Sequence, residues 1–266
     1  MVRSFSALAL IAAAALPAGA QRQADFQWNK ALSAGSSVVV RNLSGNVKVV
    51  PSTSGRVEVS GFKRGSSRNL DRIKGDVVET SRGIVVCVVY DDPDWYCDEN
   101  GMGHSGRRNR WNDDDWGNAQ MDFEIAVPTN LVVQAGSVSG DVSVSGAHGD
   151  VEASSVSGDV LLDRLHASAV DATSVSGDVE VHVDQLTGTG NFTLHSVSGD
   201  ITLEVPRDFG ADLSMTTVSG DIDSDFPITI GNGRMSRRSL NARIGTGGRR
   251  LDVKTVSGDL KLRTAR

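Results

Sequence analysis

The sequence predicts an all-β solenoid, and three observations predict it. A hexapeptide recurs through the second half of the chain. Residues within each unit alternate apolar and polar, the period of a strand. That alternation slips phase once per unit, always at the same place. The expected architecture is a single-stranded β-solenoid of the right-handed β-helix type with coils of about 19 residues. A β-sandwich is the alternative, but it offers no reason for a constant phase slip.

The six copies are Ser137–Val142, Ser155–Val160, Ser174–Val179, Ser196–Ile201, Thr217–Ile222 and Thr255–Leu260. Their glycines are Gly140, Gly158, Gly177, Gly199, Gly220 and Gly258, at steps of 18, 19, 22, 21 and 38. Glycine in the center of the tag suits a tight corner where a side chain would not fit. The last step is twice 19, which predicts that one coil inside 223–254 has lost its tag or taken an insertion.

Around each tag the pattern is explicit. Val156, Gly158, Val160 and Leu162 are placed on one face, and Val151 and Ala153 form a preceding run. The step of three from Ala153 to Val156 recurs from Ala172 to Val175 and from Leu194 to Val197. An odd step flips the inward face unless the chain bends there. The bend is therefore expected at the doublets, such as Ser154-Ser155. Val156, Val175 and Val197 should then be neighbors along one stack.

From the N-terminus, residues 1–20 read as an export signal. Arg3 is the positive start, Leu8–Leu16 the short apolar run, and cleavage is expected after Ala20. No Cys lies near the cut, and no later stretch reads as a membrane span. The charge of −6 becomes −7 without Arg3. That balance argues against nucleic-acid binding, which needs clustered Lys and Arg.

Residues 21–132 are read as an irregular β region and 133–266 as the regular repeat region. The first contains a degraded tag, Asn42–Val47, with Asn in place of Asp. It also carries a Trp/Asp-rich insertion at 91–120 with Trp95, Trp111 and Trp116, read as a floppy insertion or, alternatively, an aromatic binding surface. Cys87 and Cys97 are expected to form a disulfide, because paired Cys in an exported protein more often bridge than bind metal.

Several features together resemble a known family. They are Ala34-Gly35 followed by Val38-Val39-Val40, the Asn42–Val47 tag, Gly83–Tyr90 (GIVVCVVY), Phe123–Pro128 (FEIAVP) and the Val-Ser-Gly-Asp array. On these the chain resembles the bacterial putative-adhesin family of β-strand-repeat proteins, a domain of unknown function, over Phe26 to Arg263. The resemblance implies an exported or envelope-associated β-solenoid. It supplies no functional positions to carry over.

Candidate chemistry is sparse. Asp141, Asp159, Asp178, Asp200, Asp221 and Asp259 would form a ladder if coils stack in register. Two unit charges about 5 Å apart in water repel by about 0.8 kcal/mol, so the ladder needs compensation. Each Asp is read as capping its own turn, with cation binding as the functional alternative. Asn112–Asp115 is read as an acidic solvated loop, since the alternating ligands of an EF-hand are absent.

His148, His166, His182 and His195 show no metal-ligand spacing. Arg164, Asp184, Glu204 and Arg207 are the residues a polysaccharide-acting enzyme would have available. The pairs Arg107-Arg108, Arg237-Arg238 and Arg249-Arg250 are read as solvated loop charges. Lys261, Arg263 and Arg266 are read as guards against edge-to-edge stacking, which favors a monomer.

The expected function is therefore a non-enzymatic structural or binding module of the cell envelope, periplasmic or at the cell surface. An envelope glycan or envelope protein is the expected partner, and no catalytic residue, cofactor or resident metal is expected. An envelope-stress or surface-sensing component is the alternative. A polysaccharide-acting enzyme stands behind both.

Overall fold

The computed structural model describes residues 23–105, 118–229, 235–236 and 238–265. The fold is two facing ladders of mostly parallel strands, joined at a sharp corner in each coil. The first ladder runs in space through Gly83–Tyr90, Ser37–Ser44, Val132–Ser139, His148–Ser157 and the second half of Val160–Ser176. It continues through Phe192–Ser198, Arg249–Lys254 and Ala211–Thr216. The second runs through Gln120–Val127, Val47–Pro51, Val142–Ser145, the first half of Val160–Ser176, Val179–Leu186, Ile201–Val205, Leu260–Thr264 and Ile222–Ser224.

The register repeats from coil to coil. Val133 pairs with Val151, Val151 with Val170 and Val170 with Phe192, offsets of 18, 19 and 22 residues. Like therefore stacks on like. Val151, Ala153, Val160 and Leu162 of one coil point between the ladders, as do Val170, Ala172, Val179 and Val181 of the next, all buried. Each such aliphatic side chain contributes about 1.5–3 kcal/mol by leaving water. The ladders run without interruption from the N-terminal region into the repeat array.

Antiparallel strands close both ends. Ile73–Thr80 lies antiparallel on Gly83–Tyr90. Val57–Arg64 and then Phe26–Lys30 extend the second ladder beyond Gln120–Val127. At the other end Ser239–Ile244 lies antiparallel on Ala211–Thr216. Among the described residues, the second ladder ends on the three-residue parallel strand Ile222–Ser224, a short edge for another chain to extend.

The structure moves the bend. Ser155 stays buried in phase with Val151 and Ala153, whereas Val156 turns outward. The phase slip therefore lies within Val-Ser-Gly-Asp, not at the preceding doublet. Val156, Val175 and Val197 do share one stack, since Ser155 pairs with Ser174 and Ser174 with Ser196. The stack lies on the outside of the corner, not in the core. The Ser before each Val can stay inside because its hydroxyl has a partner there.

The double step before Gly258 holds inserted antiparallel strands, not a coil without a tag. The chain completes the coil carrying Gly220, turns back as Ser239–Ile244, and then inserts its last coil between two earlier ones. Spatial order is thus Gly199, Gly258, Gly220. The last coil is interior, so its cations are not edge guards. Lys261 Nζ meets Asp200 at 2.9 Å, and Arg263 holds Asp223 at 2.8 Å and Asp225 at 2.9 Å. Arg266 lies outside the described residues.

The described part of the 91–120 insertion is ordered. Trp95–Asp98 and Gly101–His104 form a hairpin, tied by the Cys87–Cys97 disulfide with Cα atoms 6.0 Å apart. Its Cys97 and Met102 cover Val85, Cys87 and Val89 on the outer face of Gly83–Tyr90. That strand is apolar at nearly every position because both of its faces are covered.

Candidate binding surface

Each tag is held by three contacts to the coil before it. Ser155 Oγ donates to the Gly140 carbonyl at 2.9 Å, Ser174 Oγ to Gly158 at 3.0 Å and Ser196 Oγ to Gly177 at 3.1 Å. Thr255 and Thr217 do the same to Gly199 and Gly258. The Asp178 N–H donates to Asp159 Oδ1, and the Asp200 N–H to Asp178 Oδ1, both at 2.8 Å. Tag glycines bring the backbones together: a Cβ on Gly158 would stand 2.4 Å from the Gly140 oxygen, at a φ of +155°.

The aspartate ladder thus exists, but the carboxylates of Asp141, Asp159, Asp178, Asp200 and Asp259 each cap the turn of the next coil in space rather than their own. Backbone N–H dipoles supply the compensation that stacked charges require. The ladder continues in the degraded tag. Asn46 Oδ1 accepts from the Asp141 N–H, and the Asn46 N–H donates to Asp122 Oδ1. Asp200 has an additional partner. The Asp259 N–H, and then Lys261, hold its carboxyl below the usual Asp value. Beside the ladder runs an open groove of about 520 Å³, lined by Asp122, Asp141, Asp159 and Asp178 with Glu124 and Glu180. Among the described residues, no three of His, Cys, Asp or Glu converge as metal ligands.

The outside of the corner is apolar. Val138, Val156, Val175, Val197, Val256 and Val218 occupy equivalent positions in six consecutive coils and are 41–59% exposed. Each is followed by an exposed tag Ser. At about 4.8 Å per coil the row extends for about 24 Å. The sequence signal was present, since a Val recurs at this position in every tag. Its meaning was hidden because apolar alternation assigns valine inward by default.

Among the described residues, the other singled-out side chains do not gather into a site. His148 and His166 stack with ring centers 4.3 Å apart; burial first, and then His166, lowers the His148 pKa. His182 lies between Asp163 at 3.3 Å and Glu180 at 3.0 Å. His195 has a buried Nε2 with no protein partner among the described residues.

Arg164, at a φ of 52°, pairs with the adjacent Asp163, and Glu204 lies opposite Arg263 in register. No hydrogen bond joins Arg164, Asp184, Glu204 and Arg207 to one another among the described residues. Trp95 packs against Tyr90 and His104. Trp111, Trp116, Asn112–Asp115, Arg107-Arg108 and Arg237 lie outside the described residues.

Arg249 departs from the expected solvated charge. It is buried, with its guanidinium 4.9 Å from the Phe192 ring center and 5.6 Å from that of Phe209. It donates to the carbonyls of Gly188, Ser168 and Gly190, so the loop at 187–191 forms its cup. Burial lowers its pKa.

Comparison with known proteins agrees with the resemblance drawn from the tags. The Toastrack DUF4097 family matches residues 34–263. The chain belongs to that family. No curated protein matches the sequence. Two solved structures are similar at low identity. One is a putative cell adhesion protein from Clostridium sporogenes, 8% identical with a TM-score of 0.46, covering 90% of this chain and 99% of that one. The other is a putative adhesin from Bacteroides fragilis, 14% identical with a TM-score of 0.45, covering 92% and 98%.

Proposed function

We propose that this Toastrack DUF4097 chain is an exported, non-enzymatic β-solenoid of about 19-residue coils that binds an extended glycan of the cell envelope. The carrying observation is the outward row from Val138 to Val218, an uncharged apolar rail flanked by Ser hydroxyls along a rigid corner. Contiguous exposed apolar surface rimmed by polar groups marks a contact site. Sugar rings present apolar faces and a rim of hydroxyls, which match that pairing. The corner is held by hydrogen bonds from coil to coil, so little ordering entropy is lost on contact.

Export is supported by the leader-like N-terminus and by the Cys87–Cys97 disulfide, which persists in oxidising compartments. The first Ser or Thr of each tag and the carboxylates of Asp141, Asp159, Asp178, Asp200 and Asp259 are committed to backbone partners, which favors binding over catalysis. Among the described residues no helix is long and apolar enough to cross a membrane.

Co-sedimentation with purified cell-wall glycan tests the reading. The parent chain is expected to pellet with the polymer. Combined replacement Val156→Ser, Val175→Ser and Val197→Ser is expected to weaken that at least tenfold with folding unchanged. Equal binding by the triple variant, or release of shortened sugars during incubation, overturns it.

A further inference from the structure

The last coil of the chain, 249–264, is not the last coil of the stack. Arg249–Lys254 lies between Phe192–Ser198 and Ala211–Thr216, parallel to both. Leu260–Thr264 lies between Ile201–Val205 and Ile222–Ser224, again parallel to both. In the folded chain this segment therefore fills a slot one coil wide, with strands of other coils on both sides.

The slot recognises its occupant by the same contacts that hold every tag. Thr255 donates to the Gly199 carbonyl and Thr217 to that of Gly258, both at 3.1 Å. The Asp259 N–H reaches Asp200, and the Asp221 N–H reaches Asp259. Lys261 and Arg263 add ion pairs to Asp200, Asp223 and Asp225. Every one of these partners lies outside the segment, and none involves the tether.

The tether is Gly245-Thr246-Gly247-Gly248, with positive φ at all three glycines. It joins Ile244 to Arg249, which flank Ala211 on opposite sides. The tether must therefore cross two strand spacings, about 9.6 Å. It must also arch over Gly210, where a Cβ would stand 3.0 Å from the Gly247 carbonyl oxygen.

From this topology we infer that the C-terminal coil is an exchangeable element: the slot accepts the 249–264 segment of a second copy, and two copies trade segments to form a symmetric dimer. The exchanged dimer keeps the tag, register and ion-pair contacts of the slot and re-routes the glycine tether, giving up the tether's own bond from the Gly247 N–H to the Ile244 carbonyl. Exchange of an identical terminal element through a hinge is a low-cost route to a dimer. This inference is independent of the glycan reading.

Two full-length chains test it, one carrying Thr202→Cys and the other Lys261→Cys. These positions are register partners across the slot. Their spacing of about 4.8 Å suits a disulfide. Refolded together at high concentration in oxidising buffer, they are expected to give a covalent dimer whose linked peptides contain positions 202 and 261. A single chain carrying both substitutions should close the same link internally. No interchain link, while that control closes, overturns the proposal.

A second readout needs no added cysteine. With Gly247 and Gly248 deleted, three chain steps reach only about 10 Å, leaving no slack to arch over Gly210. That full chain is expected to elute at twice the chain mass with parental strand content. A folded monomer overturns the proposal.

Discussion

The backbone N–H of Asp259 donates to the Asp200 carboxylate at 2.8 Å, across 59 residues of chain. The same bond joins Asp178 to Asp159 across 19. Sequence distance is therefore irrelevant to the motif. The Val-Ser-Gly-Asp corner makes the same contact whichever coil of the chain lies beside it, and the last coil sits between two earlier ones by that contact.

Replacing one rung measures what that bond contributes. Asp159→Ala deletes the acceptor for the Asp178 N–H and is expected to lower stability by about 1–2 kcal/mol, the cost of an unmet donor. Asp159→Asn is expected to lie within about 0.5 kcal/mol of the parent, because Asn46 already fills this role in its own coil. Urea unfolding of the three chains checks both. Equal loss for Ala and Asn would show that charge, not the acceptor, matters.

The tag glycines separate space from conformation. Gly158→Ala puts a methyl 2.4 Å from the Gly140 carbonyl oxygen at a φ of +155° and is expected to cost about 3 kcal/mol or more. Gly149→Ala, at a φ of +96° with nothing within 4 Å, meets only the backbone penalty, about 1–2 kcal/mol. Thermal melts of the two variants should therefore differ clearly, with Gly158→Ala the lower.

The Asp200–Lys261 pair sets a pH signature for the inserted coil. Asp200 has its pKa lowered, first by the Asp259 N–H and then by Lys261. Its contribution is complete above the ordinary value of 3.8 and is lost as pH falls through the lowered one. Lys261 has its pKa raised by Asp200, so its contribution is complete below 10.5 and lost as pH rises through the raised value. The stability difference between the parent and Lys261→Ala should thus be greatest between these limits and shrink at both extremes. Denaturant unfolding from pH 3 to pH 11 reads it, with a pH-independent difference counting against the pair.

Much of the stack was legible because its cause is local. Repetition at 18 to 22 residues places Val160 over Val179 without knowledge of any other part of the chain. What could not be read was direction and order. Val156 follows the same apolar pattern as the core, and only the hydroxyl bond from Ser155 to Gly140 shows why Ser, not Val, lies inside. The out-of-order coil was hidden because every tag presents the same contacts. The burial of Arg249 was hidden because its cup is made of backbone carbonyls from a loop some 60 residues earlier.

The hairpin at Trp95–His104 makes the last prediction. Its Cys97 and Met102 cover Val85 and Val89, and the disulfide to Cys87 fixes it there. The bridge closes a short loop, for which chain entropy allows up to about 3 kcal/mol. Because the hairpin packs on the outside of the ladder, losing the bridge should loosen the hairpin and leave the stacked tags closed. Reduction, or Cys97→Ser, is therefore expected to speed amide exchange in 95–104 and expose Val85 and Val89 to an apolar dye. The Asp178 and Asp200 amides should keep their protection. Equal loss of protection at hairpin and tags would show that the hairpin and the ladder unfold as one unit.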